Sequence, residues 1–256
     1  MGRADSIALP YLVPSIGYFH KSGLFVTGAL SYVTAEGENR VDLFTLSGGY
    51  DYFGKKTAAG ISVDQYFFSK ESYSVQSEMR TYISGYVGYD LNAFMVVADA
   101  SLGVSDDLDV FLGGEISKTF DLFRDRFMVT PAFYTNLGTQ RYYNAYYTQR
   151  TLTTGSQSSG GGKGKGPGSG SNGGTPMMPA TITEISIQAS DKFQVLDYEL
   201  GVSMSYKLNR FRFTASGTFL FPVNPATVVT EDGTYEEDLD NGFVWSTGLR
   251  YRIGGG

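Results

Sequence analysis

The chain has 256 residues, a formal net charge of -6, one His and no Cys, so disulfides, thiolate metal sites and cysteine nucleophiles are excluded. The acidic balance argues against a nucleic-acid partner, because phosphate binding needs a basic face that this chain would assemble against its own net charge. Tyr (19) and Phe (18) are abundant beside 33 Gly, only 8 Pro and a single Trp, a balance that favours many strands joined by turns.

No stretch approaches the roughly 20 apolar residues of a membrane-spanning helix, so a membrane reading of this sequence requires a closed barrel of strands. Only alternate residues of such strands meet lipid, so a mean hydropathy near zero does not oppose it. Met1 to Asp5 carries no apolar run of the signal-peptide kind. The expectation is a processed or truncated form of an exported chain, with a cytoplasmic chain as the alternative.

Period-two alternation defines about eleven segments in chain order, each with an apolar-aromatic face and a small, polar or charged face. The first, Leu9 to Phe19, contains Pro10 and Pro14 and reads as an edge element. Next come Leu24 to Tyr32 (Leu24, Val26, Leu30 against Thr27, Ala29, Ser31) and Phe44 to Tyr52 (Phe44, Leu46, Tyr50 against Ser47, Gly49, Asp51). Ala59 to Asp64, Arg80 to Tyr89, Phe94 to Leu102, Val110 to Ser117 and Phe127 to Tyr134 continue the pattern. It returns in Leu196 to Tyr206, Phe211 to Phe219 and Phe243 to Ile253. Many segments approach the roughly 9 to 11 residues with which a tilted strand crosses a bilayer.

The polarity of the two faces distinguishes a membrane barrel from a soluble one, which places bulky apolar groups inside and charges outside. Here the charges share a face with Gly, Ser, Thr and Ala, as a narrow polar lumen requires. Asp51, Asp64, Glu78, Arg80, Asp99, Glu115, Asp197, Glu199, Arg212, Arg250 and Arg252 fall on that inner face. They are expected to form a lumen charge network, because an isolated charge away from water is costly. Pairing would plug the lumen; water around the charges would make a pore. Tyr82, Tyr86 and Tyr134 narrow it in either case.

Connections fall into two alternating sets. Short, mostly basic turns include His20 to Gly23, Gly54 to Lys56, Leu122 to Arg126 and Lys207 to Arg210. The longer set includes Glu36 to Asn39, Ser69 to Ser72, Ser105 to Asp107, a Gly/Ser-rich loop over residues 150–180 and an acidic loop over 224–241. The 150–180 loop is low-complexity chain expected to be disordered. Outer-membrane barrels keep short turns in the periplasm and long loops outside. The tyrosine-rich stretch Arg141 to Tyr147 and the alternating Ile182 to Ala189 are expected to pair above the bilayer, where a protein or glycan partner could dock.

No catalytic constellation is visible. A hydrolytic Ser needs a base within reach, and the sole His, His20, sits in a tight turn. The run Gly160 to Lys165 lacks the spacing of a phosphate loop. Glu231 to Gly242 offers oxygen ligands without the spacing of a calcium-binding loop. No enzyme activity, cofactor or metal is expected.

The last strand resembles the C-terminal assembly signal of bacterial outer-membrane β-barrels, in which a polar residue is followed two later by Gly and then by alternating hydrophobic or aromatic residues. Ser246, Gly248, Tyr251 and Ile253 occupy those places; Ile253 where Phe is usual, and the added Gly254 to Gly256, depart from it. The Ser15 to Gly23 stretch is also similar to outer-membrane barrels of uncharacterised families. The resemblance implies recognition by the barrel-assembly machinery and residence among outer-membrane lipids. The expectation is therefore an all-β, antiparallel, up-and-down transmembrane barrel of about 12 strands spanning residues 1–256 as one domain. Its role is that of a non-enzymatic anchor or scaffold, with a porin-like solute channel and a soluble or designed β-barrel binding module as alternatives. Eleven segments leave an odd count, so a twelfth strand is expected upstream, near Pro225 to Thr234, or from a partner.

Overall fold

The computed structural model describes residues 10–35, 38–69, 80–104, 108–123, 126–140, 186–188, 191–230, 233–236 and 239–253. They form an all-β structure with no helix among them. The broken strands β1 (Tyr11–Leu12) and β2 (Ser15–Phe19) make one stave. After them come β3 (Leu24–Ala35), β4 (Glu38–Phe53), β5 (Thr57–Phe68), β6 (Thr81–Asp90) and β7 (Met95–Val104). A second broken stave joins β8 (Leu108–Ser117) and β9 (Phe120–Leu122), both paired with β10 (Phe127–Gly138). Short β11 (Ser186–Gln188) precedes β12 (Gln194–Leu208) and β13 (Phe211–Pro222), then β14 (Thr227–Thr230), β15 (Gly233–Glu236) and β16 (Gly242–Tyr251).

The main sheet is an antiparallel meander in the order β1/β2, β3, β4, β5, β6, β7, β8/β9, β10, β12, β13, β16. These are the eleven alternating segments of the sequence, each paired with the next. Proline breaks the first stave without detaching it, since Pro10 and Pro14 lack N–H donors but their carbonyls accept from Thr34 and Leu30 at 3.0 Å each. The short turns are built on left-handed residues: Gly23, Asn92, Phe123 and Asn209 all have positive φ. A side chain at Gly23 would collide with the Asp51 carbonyl, so this turn requires glycine.

The described pairings differ from the expected twelve-strand ring. Among the described residues the sheet is not closed: β16 pairs only with β13, and β1 and β2 only with β3. With eleven antiparallel staves, the first and last run in the same direction, so they are not ready-made antiparallel neighbours. Pro225 to Thr234 does contain a strand, β14, but it belongs to a separate 3-stranded sheet with β11 and β15. Residues 186–188 accordingly pair with β14, and residues 141–147, their expected partner, lie outside the described residues, as does the 150–180 loop.

Two register shifts re-aim side chains at the long-loop end. Between Ser31 and Tyr32 the pairing skips Asp42, and between Asn136 and Leu137 it skips Leu196. A bulge adds one residue and reverses parity beyond it. Leu196, assigned by alternation to the apolar face, is therefore buried, and the skipped Asp42 on β4 is buried as well.

Candidate functional site

The burial of the two faces is the reverse of a soluble sheet. Leu46, Ile61, Leu112, Leu200, Phe213 and Leu249 are all exposed, and Val96 is half-buried. Among the described residues the buried apolar groups are Val33, Tyr82, Ala132, Leu196, Leu220 and Ala226. From β4 to β12 much of the small and polar face is partly covered, because the sheet curls toward it and inward side chains reach staves two places away, whereas Asp99, Ser203, Arg212, Thr214, Ser246 and Arg250 are exposed. The Tyr86 hydroxyl donates to Asp51 Oδ1 at 2.9 Å across β5, Tyr11 donates to Asp42 Oδ2 at 3.2 Å across β3, and the Tyr82 and Phe111 rings lie 6.3 Å apart across β7.

Register organises the concave face into rows. One row reads Asp51, Gly60, Tyr86, Asp99, Gly113, Asn136, Asp197 from β4 to β12. Each glycine seats a neighbour: a Cβ on Gly60 would strike Tyr86 and Asp51, and one on Gly113 would strike the Asp99 carboxylate. Asn136 Nδ2 ends the row by donating to Asp197 Oδ1 at 2.6 Å and to Glu199 Oε1 at 3.1 Å. In the adjoining row Tyr134 lies directly between Glu115 and Glu199. Asp64 accepts from the Ser62 hydroxyl at 3.0 Å. Alternating large polar groups with glycine lets a crowded row of acids and hydroxyls fit the concave surface. Because it begins on β4 beside the short Gly54 turn and ends on β12 beside Gln194, it crosses from the short-turn end to the loop end.

The acids expected in the lumen are thus brought together on β4 to β12, except Glu78, which lies outside the described residues. The arginines are elsewhere. Arg212 stands directly opposite Arg250, Lys207 opposite Arg212, and the Lys207 amide donates to the Arg126 carbonyl. Arg252 follows, its amide bonded to the Arg210 carbonyl at 3.0 Å, and Arg80 lies exposed before β6. No ion pair joins Arg80, Arg212, Arg250 or Arg252 to a carboxylate among the described residues, whereas Arg40 pairs with Asp42 at 3.6 Å. These arginines thus stand apart from the lumen acids among the described residues: alternation gives the face of a charge, but register gives its cross-strand neighbours.

Like charges directly opposite one another oppose pairing. Arg212→Glu should therefore stabilise the sheet by about 0.5–1 kcal/mol through its Lys207 and Arg250 neighbours. Urea unfolding checks this, and added salt should narrow the difference by screening the unaltered ladder.

A second polar cluster closes the loop end. Asp109 is fully buried and accepts from the Thr139 hydroxyl at 2.6 Å, and that hydroxyl accepts from the Val110 amide at 3.0 Å. Sequence reading did not single out Thr139, Asn136 or Gln140; for Asn136 the available signal was the glycine directly opposite, Gly113. His20 is a turn residue, its Nδ1 2.8 Å from the Ser22 hydroxyl. In the signal-like last strand, the Ser246 hydroxyl meets that of Ser216 at 2.8 Å, Gly248 lies opposite Thr214, Tyr251 packs on Phe211 with ring centroids 4.9 Å apart, and Ile253 is exposed beyond the strand. No family model matches the sequence, and no curated protein matches it.

Proposed function

We propose that the chain is a non-enzymatic bacterial outer-membrane β-barrel protein, an anchor or scaffold whose convex apolar face meets lipid and whose concave polar face encloses a narrow interior. The observation that carries this reading is the inverted burial: Ile61, Leu200 and Leu249 are 59%, 51% and 62% exposed, while Asp51, Asp64, Glu115 and Glu199 are partly covered. In water an apolar face of this extent is a liability; in lipid it is the required surface. Residence in lipid also demands that the edges of β16 and β1/β2 be paired, and a twelfth stave antiparallel to both would complete the ring. The signal-like residues Ser246, Gly248, Tyr251 and Ile253 fit insertion by the barrel-assembly machinery.

The polar row from Asp51 to Asp197 favours a second reading, a small water-lined pore for ions or solutes. Refolding into phospholipid vesicles tests both. Protease added outside should cut at loops while the staves remain protected, and planar bilayers made from the same material should carry discrete current steps if the row conducts. A chain that stays soluble and fully digestible contradicts the membrane reading; insertion without current leaves the anchor as the function.

A further inference from the structure

The convex face is not uniform. Where β8, β10, β12, β13 and β16 lie side by side, a furrow of about 770 Å³ crosses it. Its floor is low because Pro131, Ala215 and Gly217 occupy outward positions where neighbouring rows carry larger groups. Phe133, Phe219 and Phe243 form the upper wall, in one register row. Gly217 has no side chain to fill the floor; a Cβ there would come within 3.1 Å of the Phe243 ring.

One end of this apolar furrow is charged. Lys118 lines it and donates from Nζ to the Asn92 carbonyl at 2.8 Å, which fixes the ammonium at the level of a short turn. The other end, at Phe243, lies one residue from the loop-side start of β16. The furrow therefore climbs from the short-turn rim into the apolar belt over four inter-strand spacings, about 19 Å. The same rim carries Lys21, Lys55, Lys56 and Arg210 in its turns. An apolar channel that ends in a cation at a basic rim complements a molecule with an anionic head and a long apolar tail.

We infer that this furrow is a binding site for an anionic phospholipid of the surrounding bilayer, with one acyl chain along Pro131, Ala215 and Gly217 and the phosphate at Lys118. The inference rests on the membrane reading proposed above. Lys118 reaches the head group as interfacial lysines do, stem along the apolar surface and ammonium at the polar boundary. Trp245, the single Trp of the chain, stands directly opposite Gly217 at the margin of the furrow and reports on lipid held beside it.

The test uses the whole protein refolded into phosphatidylcholine vesicles that contain a small, equal fraction of either dibrominated phosphatidylglycerol or dibrominated phosphatidylcholine. Bromine on the acyl chain quenches Trp245 on contact. Quenching by the anionic lipid should correspond to about fivefold enrichment at the furrow, the effect of one interfacial cation. Lys118→Gln should abolish the preference while leaving quenching by phosphatidylcholine unchanged, Lys118→Arg should keep it, and Ala215→Phe should reduce it by filling the floor. Equal quenching by the two lipids in the unaltered protein, or a preference that survives Lys118→Gln, overturns the site. Absence of quenching by either lipid overturns the membrane reading itself, so the two failures are distinguishable.

Discussion

Leu200→Arg should lower the free energy of unfolding from a lipid bilayer by about 2–4 kcal/mol, because it places a charge on the lipid face near the middle of a stave. Leu200 lies in the interior of β12, between Phe133 and Phe219 on the flanking staves, and is 51% exposed. If that exposure were to water, the same change would fall within about 0.5 kcal/mol, as surface substitutions do. The size of the effect therefore separates the two environments. Ser203→Arg, on the opposite face of the same strand, serves as the control and should cost far less. Urea unfolding of protein refolded into vesicles reads both variants.

The second large effect is expected at the loop end. Thr139→Val keeps the shape of a buried side chain and removes its hydroxyl, which is both the donor to Asp109 and the acceptor for the Val110 amide. Asp109 is fully buried, and a buried group deprived of a hydrogen-bond partner costs about 1–3 kcal/mol, more where it is charged. Thr139→Ser should recover most of the loss because it keeps the hydroxyl. A loss of equal size in both variants would mean that methyl packing, and not the hydroxyl, holds this corner.

The staves were legible because parity is a local property. Leu24 to Tyr32 or Phe211 to Phe219 needs only its own residues to declare two faces, and the eleven segments of alternating sequence are the eleven staves of the sheet. Parity failed where an extra residue entered, at Leu196, since a bulge leaves no mark in hydropathy. It also could not give cross-strand neighbours. Asp51 and Arg250 share the concave face, yet only the strand registers show that one belongs to an acidic row and the other to a basic ladder with Lys207 and Arg212. The strand β14 was hidden within an acidic loop because Thr227–Thr230 is too short for periodicity to distinguish from a polar connection. The furrow was equally invisible. Pro131 is far in sequence from Ala215 and Gly217, and their small size becomes a feature only when β12 aligns β10 with β13.

The central claim is that the two faces of this sheet lie in different solvents. Spin labels placed singly at Leu46, Phe213 and Leu249, and at their inward neighbours Ser47, Thr214 and Arg250, measure it directly in phospholipid vesicles. Labels at the first three should relax with oxygen, which concentrates in hydrocarbon, and those at the second three with a water-soluble nickel chelate, alternating along each strand. Labels at Leu46, Phe213 and Leu249 that instead report water, with no alternation against their neighbours, would contradict the account.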